Sequence, residues 1–550
     1  MSPIQRIPSK LDAPHGLWWH LTQRAAYYFV FIASIAGYVW MACTGYEPSL
    51  SNPYLTGIVT AVQFPILMFQ IGLCSLCFLG MLLYGAPADK RPGPDWAWDK
   101  SVKLIVAYVS RGNQPGVIKR ASGETQAILD QLNVEYALEI VTDVAIPLEN
   151  RLARTHGEIY YYTVPEDFET SSGARYKARA LQYLLEQRNE RLDGREVEDN
   201  VWILHLDEES IITPECILGI RDHIKKYDLR RTGGAIGQGE IMYNSHHYGD
   251  NLAITAIDSV RTGQDLGLFR LSFKTHLPLI GMHGSYVLAP ASVEKSITWD
   301  VGGTGSVTED AFFALTAFQR GVRFDWVEGF IREQSPFTMA DIARQRRRWF
   351  CGLRFVAFDP ALNLRTTLFL RMVVMVWGLG CLAIPLPFIY ISQKLIYGTC
   401  ILPVWLFVTC AICWGMYASQ YCLGTYRNLL HSKLPLWRKA LISVSSVVVW
   451  LLNIPTVVES TGALWGLLFH VSSRSPSSPC LPPSPAMRSS MVSRKTRWIP
   501  PSRSICSVAL AACSSALRRC SISMLWEPPS FRAELTAISH SVTELRRNAP

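Results

Sequence analysis

Three clusters of reactive side chains follow one another along the polar middle of the chain: Asp207-Glu208-Glu209 directly after the apolar run Val201–Leu206, then Thr308-Glu309-Asp310, then Gln345-Arg346-Arg347-Arg348-Trp349. Asp207 and Glu209 are two positions apart just beyond an expected strand, a spacing that turns both carboxylates toward one side. Carboxylate oxygens so placed suit Mg²⁺ or Mn²⁺, and a cation held there neutralises a diphosphate. The same residues also suit a solvated loop that caps the next helix. Asp310 opens a helix expected over Ala311–Gln319, behind the Gly302-Gly303-Thr304-Gly305 stretch, which is expected to be flexible. A carboxylate there can take a proton from an attacking hydroxyl, although Glu309 and Asp310 would complement the helix dipole without any catalysis. In the third cluster Arg348 fits a diphosphate through two parallel hydrogen bonds, and Trp349, with Gln345 beside it, offers an indole face to a sugar. The three arginines ahead of Trp349 and Phe350 are equally suited to a membrane surface.

The elements that must hold these residues are legible in outline. From Ala86 to about Pro360, short β-branched runs alternate with amphipathic stretches, the pattern of an α/β domain with a largely parallel sheet. Strands are expected over Lys103–Val109, Tyr136–Val141 and Val201–Leu206, and helical segments over Thr125–Leu132 and Ala174–Glu186. Asp143 and Asp207 then fall at strand C-terminal ends, the edge at which open α/β sheets bind ligands.

On both sides of this domain the chain is apolar. Of 550 residues, 49% are hydrophobic and only 18% charged, which points to a part-soluble, part-lipid-embedded protein. Ala25–Cys43 and Ile58–Tyr84 are long enough to cross hydrocarbon. Arg6, Lys10 and Arg24 precede the first and Lys90 and Arg91 follow the second, so the N-terminus (1–24) and the large polar domain (86–360) are expected in the cytosol. Further spans are expected within 368–469, over Leu368–Ile391, Leu402–Leu423 and Leu441–Phe469, the last interrupted by Asn453, Pro455 and Glu459. The net charge of +9 comes from residues flanking these runs and from the tail, and no basic stripe interleaves with aromatics, so nucleic acid is not expected as a partner. The 14 cysteines are scattered; the Cys74/Cys77 and Cys410/Cys413 spacings lie inside apolar runs and read as helix packing. Residues 471–550 are rich in Ser and Arg with no sustained apolar periodicity, and read as a disordered tail; a composition so unlike the preceding chain also suits an out-of-frame or intron-derived segment, which transcript sequencing across the His470 region would decide.

Asp207-x-Glu209, Thr308-Glu309-Asp310 and Gln345-x-x-Arg348-Trp349 together resemble the D-x-D, T/E-E-D and Q-x-x-R-W series of the inverting family 2 glycosyltransferases. Longer strings are similar to the egghead-type β-1,4-mannosyltransferases: Glu139-Ile140-Val141-Thr142-Asp143, Lys177 through Tyr183, Trp202 through Glu209, Gly284-Ser285-Tyr286-Val287 and Ser335-Pro336-Phe337-Thr338. The resemblance runs from about Lys103 to the Trp465-Gly466-Leu467 region and fails in the tail. It implies a GT-A (Rossmann-like) domain between transmembrane helices, in which Arg111 and Asp143 hold the nucleotide, Lys177 approaches the donor phosphates, and Asp207 and Glu209 bind a metal-diphosphate. By the same resemblance Asp310 is the base with Glu309 beside it, Gly284 and Ser285 shape the acceptor pocket, and Gln345, Arg348 and Trp349 close the acceptor and diphosphate end. The implied partners are GDP-mannose, glucosylceramide as a lipid-linked acceptor, and the bilayer. An endoplasmic reticulum or Golgi location is expected ahead of the plasma membrane.

Two other readings use the same features. A processive polysaccharide synthase working from a UDP-sugar carries the same three motifs but needs a transmembrane path for its product. A membrane transporter or scaffold is disfavoured by the absence of paired inverted halves and by the catalytic order of the motifs.

Overall fold

The computed structural model describes residues 53–87, 89–192, 200–229, 233–383 and 404–451, with four isolated positions, 29, 32, 33 and 36, nearer the N-terminus. The expected first span apart from those four positions, the end of the Leu368–Ile391 run, the start of the Leu402–Leu423 run, the distal part of the last run and the 471–550 tail lie outside them.

Seven strands form one sheet in the order β3-β2-β1-β4-β6-β5-β7. They are β1 (Lys103–Ser110), β2 (Tyr136–Thr142), β3 (Glu158–Thr163), β4 (Val201–Asp207), β5 (Ile236–Met242), β6 (Val287–Pro290) and β7 (Phe324–Arg332). The run Lys103–Val109 is apolar at nearly every position because both faces of β1 are covered. Ile105, Ala107 and Val109 enter one core, with Leu181, Leu184 and Phe313, and the alternate Leu104, Val106 and Tyr108 enter the other, with Ile118, Ile217 and Ile220. The helices are α1 (Pro53–Tyr84), α2 (Pro115–Gln131), α3 (Tyr176–Arg191), α4 (Pro214–Lys226), α5 (Leu252–Gln264), α6 (Ala291–Ile297), α7 (Glu309–Gln319), α8 (Met339–Ala357), α9 (Leu364–Ala383), α10 (Val404–Leu430) and α11 (Leu436–Leu451).

The largely parallel sheet expected from the sequence is present with one exception: β1, β2, β3 and β4 are parallel, as are β5 and β7, but β6 runs antiparallel to both β4 and β5. At four residues β6 is too short to announce itself by periodicity, and it is buried throughout. The Gly302–Gly305 stretch, expected to be flexible, is instead a helical turn, tied down by Thr304 Oγ1 donating to Asp359 Oδ2 at 2.7 Å and by packing of Gly305 on the Phe312 ring.

α5 continues through a π-helical turn, Asp265–Phe269, and is clasped on two sides. A Cβ at Gly424 of α10 would lie 1.8 Å from the Ser259 carbonyl oxygen, and one at Gly80 of α1 would lie 2.1 Å from that of Gly267. Only glycine permits such backbone contact between helices. Taken over the described residues alone, no helix is long and apolar enough to cross a membrane.

Beneath the sheet lies a closed ionic cluster. Arg188 of α3 donates to Glu139 of β2 (2.9 and 2.7 Å) and to Glu294 of α6 (2.7 Å), and all three side chains are buried. Burial works to raise the Glu294 carboxyl, but Arg188 and His205 outweigh it and bring it down to about 2.

Candidate active site

The register of the sheet collects the chemistry at one edge. Val109 pairs with Asp207 and Ser110 with Thr142, so the ends of β1, β2 and β4 set Ser110, Asp143 and Asp207 side by side. The reversed direction of β6 then matters, because His205 pairs with Val287 and the residues before β6, Gly284 and Ser285, emerge at the same edge. The Asp207 amide donates to Ser285 Oγ at 3.3 Å. β7, parallel to β5, delivers Glu333 there as well.

Lys177, in the first turn of α3, is the centre of the site. Its ammonium bonds Asp207 Oδ1, donates to the Gly284 carbonyl at 2.9 Å and lies 3.8 Å from Glu309 Oε1. A Cβ at Gly284 would fall 2.9 Å from Lys177 Nζ and 3.2 Å from Asp310 Oδ2, so a larger residue here would crowd both the ammonium and the carboxylate. Burial disfavours the ammonium, but Asp207 and Glu309 more than compensate and keep it charged.

Glu309 and Asp310 begin α7, and Asp310 Oδ1 accepts the Ala311 amide at 2.8 Å. Burial, then the Asp310 charge, pushes the Glu309 carboxyl up to about 7 against the pull of Lys177. Asp310 is raised too, chiefly by burial. Burial would also raise Asp207, but Lys177, Arg348 and Arg261 outweigh it and hold it below the ordinary carboxylate range. Glu209 moves the opposite way, well up, through burial and the charges of Asp207, Glu333 and Glu208. This edge therefore offers carboxylates in both protonation states near neutral pH, which is the arrangement proton transfer needs.

The raised Glu309 carboxyl makes a stability prediction. The folded state holds its proton more tightly than the unfolded chain does, so this contribution is fully present below about pH 4.5 and is lost as pH rises to about 7. Glu309→Gln should therefore be more stable than wild type at pH 8 by roughly 3 kcal/mol, with no such gain at pH 4. Thermal unfolding at the two pH values checks this, and an equal difference at both would refute it.

α8 separates the three arginines. Thr338 caps the helix by accepting the Asp341 amide at 3.1 Å. Arg346 is buried and bonds Asp258 at 3.1 Å, whereas Arg348 is exposed and its charge reaches Asp207 and Glu309. Trp349 has the Arg346 guanidinium 4.4 Å and that of Arg261 4.8 Å from its ring centre. Gln345 lies beside Arg346, 3.5 Å from its Nη1. A Cβ at Gly352 would strike Thr308 at 2.6 Å, so this close contact fixes α8 against the Thr308-Glu309-Asp310 turn.

Asp143 is held at 3.2 Å by Arg179, and Arg111 is exposed at the same edge, with its carbonyl accepting the Val144 amide. The middle acid of the first cluster, Glu208, is bonded by Ser110 Oγ. Three residues escaped the sequence reading. Glu333 accepts from Ser210 Oγ at 2.8 Å, and Ser210 in turn meets Ser285 at 2.9 Å. His283 Nε2 lies 2.7 Å from Asp265 Oδ1. Arg261 stacks beneath Trp349. Of these only Glu333 left a signal, since it lies two residues ahead of the Ser335–Thr338 string.

Among the described residues, no group of three His, Cys, Asp or Glu side chains is arranged to hold a metal ion. Asp207 and Glu209 nonetheless form a fitting pair of hard oxygen donors: Lys177 occupies only Oδ1 of Asp207, and Glu209 sits among three other carboxylates whose repulsion a cation would relieve.

Residues 202–469 match the profile described as glycosyl transferase family group 2. The chain is 31% identical over 421 residues to the β-1,4-mannosyltransferase egh of Drosophila melanogaster, spanning 76% of this chain and 84% of that one. It is 34% identical over 326 residues to the β-1,4-mannosyltransferase bre-3 of Caenorhabditis elegans, spanning 58% and 63%. Among solved structures, the mannosyltransferase PcManGT from Pyrobaculum calidifontis, in complex with GDP-Man and Mn²⁺, aligns over 74% of this chain and all of its own at 12% identity, with a TM-score of 0.34. With its GT-A-like α/β fold, the chain belongs to the family 2 glycosyltransferases, among the egghead-related enzymes, and is a hexosyltransferase.

Proposed function

We propose that this protein is an inverting mannosyltransferase that moves mannose from GDP-mannose to a lipid-linked sugar, glucosylceramide, forming a β-1,4 linkage. The observation that carries the reading is the convergence of Asp207, Glu309 and the Gly284 carbonyl on Lys177, with Asp310 beside Gly284. In this mechanism Asp310 takes the proton of the acceptor hydroxyl as that oxygen bonds the anomeric carbon, and the bond from that carbon to the diphosphate breaks on the opposite face. Arg111 and Asp143 hold the nucleotide, Lys177 and Arg348 face the phosphates, and Gly284, Ser285, Gln345 and Trp349 line the acceptor end. Asp207 and Glu209 would hold Mn²⁺ or Mg²⁺, which supplies charge neutralisation to the departing diphosphate. The remaining ligands would come from the phosphates and water.

A bilayer setting is part of the proposal. On α11, Trp437, Leu441, Val444, Val448 and Leu451 are exposed at helical spacing, a stripe of apolar side chains facing outward, and Leu364 and Leu368 of α9 are more than half exposed. Arg438 and Lys439 at the start of α11 suit the headgroup layer and support a cytosolic catalytic domain. The endoplasmic reticulum or Golgi is the proposed location.

The test is transfer of labelled sugar by the membrane-embedded protein from GDP-mannose to glucosylceramide, beside UDP-sugar donors and an acceptor-free control. One mannose added to the lipid is expected; polymer formed from a UDP-sugar without acceptor would replace this reading with a synthase. Asp207→Ala should remove the metal dependence of donor binding, with affinity falling by about tenfold or more in the presence of Mn²⁺. Equal affinity with and without metal in both wild type and variant would reject the assignment.

A further inference from the structure

The guanidinium of Arg261 is placed in the cleft by rings. It lies 3.8 Å from the centre of the Tyr243 ring and 4.8 Å from that of Trp349, and its side chain retains 12% of its exposure. Its carboxylate neighbour on the same helix, Asp258, is 3.7 Å away and already bonds Arg346 through Oδ1 at 3.1 Å. Among the described residues Arg261 makes no hydrogen bond and meets Asp258 Oδ2 only at ion-pair distance, so a planar fork of five donors is held in position and partly desolvated, with donors left for a ligand. Arg261 acts electrostatically on Asp207 and Glu333, as Arg348 acts on Asp207, so the two cations converge on the carboxylate that would hold the metal.

Stacking fixes the plane of a guanidinium and leaves its N–H edge available, which suits bidentate bonding to phosphate oxygens. A sugar hydroxyl would not need two cations converging on one point; a group carrying multiple negative charges would. We infer that Arg261 is a diphosphate-binding residue of this enzyme, donating to the phosphate oxygens of the nucleoside diphosphate from the Trp349 side, opposite Lys177 in sequence but on the same substrate group. This rests on the nucleoside diphosphate-sugar reading above and adds a residue that none of the three motifs contains. It also gives Trp349 a second task, as one of the two rings that orient the arginine.

The experiment is equilibrium binding of GDP and GMP, and of UDP and UMP, to the full-length protein in detergent with Mn²⁺, for wild type, Arg261→Met and Arg261→Lys. A charged hydrogen-bonded contact corresponds to a loss of about tenfold to a hundredfold. The expected result is that Arg261→Met weakens the diphosphate preferred by wild type by that factor and leaves the corresponding monophosphate within about twofold. Arg261→Lys, which keeps the charge and loses the fork, should fall between them; it also serves if the Met variant does not fold. Equal weakening of diphosphate and monophosphate, or unchanged diphosphate affinity with a raised acceptor KM, would overturn the inference and leave Arg261 as a prop for Trp349. If wild type binds neither diphosphate more tightly than its monophosphate, the donor reading itself fails, and the role of Arg261 falls with it.

Discussion

Asp310→Asn should lower the rate of sugar transfer by about a thousandfold while donor affinity stays within about threefold. Asn keeps the shape of the side chain and can still accept the Ala311 amide through its oxygen, so the first turn of α7 is preserved. What it cannot do is take a proton. Lys177 keeps its bonds to Asp207 and the Gly284 carbonyl in the variant, so the donor side of the site has no reason to collapse. Single-turnover transfer measured beside equilibrium donor binding separates the possibilities: loss of donor binding along with rate would move Asp310 from proton acceptor to metal or structural duty.

The second large effect is expected on stability, far from the reacting atoms. Arg188→Met should destabilise the catalytic domain by about 3–5 kcal/mol, because it leaves Glu139 and Glu294 buried without their shared cation. Arg191 still reaches Glu139, so the harsher loss falls on Glu294, which retains Trp299 Nε1 and His205 as neighbours. A triple variant that also carries Glu139→Gln and Glu294→Gln should recover part of the loss. Thermal unfolding of the purified protein reads both, and a single variant that melts at the wild-type temperature would show that the cluster contributes nothing net. The site has a stake in this cluster because β2 and β4, which carry Asp143 and Asp207 at their ends, are joined through it to α3, which carries Lys177.

Much of this site can be read without coordinates. The buried runs Lys103–Val109, Tyr136–Val141 and Val201–Leu206 became β1, β2 and β4 with ends shifted by one residue at most. Continuous apolar runs flanked by polar turns carry enough local signal to be recognised, and a carboxylate directly after such a run can only stand at the strand's C-terminal end. The helix over Thr125–Leu132 was visible only in its second half; α2 begins at Pro115, because its polar first turns lack apolar periodicity.

By itself, then, the sequence determined β1, β2 and β4, the three reactive clusters and their order, because these depend on residue type and short-range spacing. Only the tertiary structure decided which side chains meet. The antiparallel course of β6 brought Gly284 and Ser285 to the Asp207 edge, and no local preference of four residues encodes a strand's direction. Helix phase sent Arg346 into the protein and Arg348 toward the carboxylates, since neighbours on a helix point about 100° apart. Glu333 and Arg261 reached the site through pairing of β7 with β5 and the clasp of α1 and α10 around α5, contacts between segments far apart in the chain. Such contacts are set by packing of whole elements, and packing leaves its record in three dimensions rather than in the spacing of residues along one.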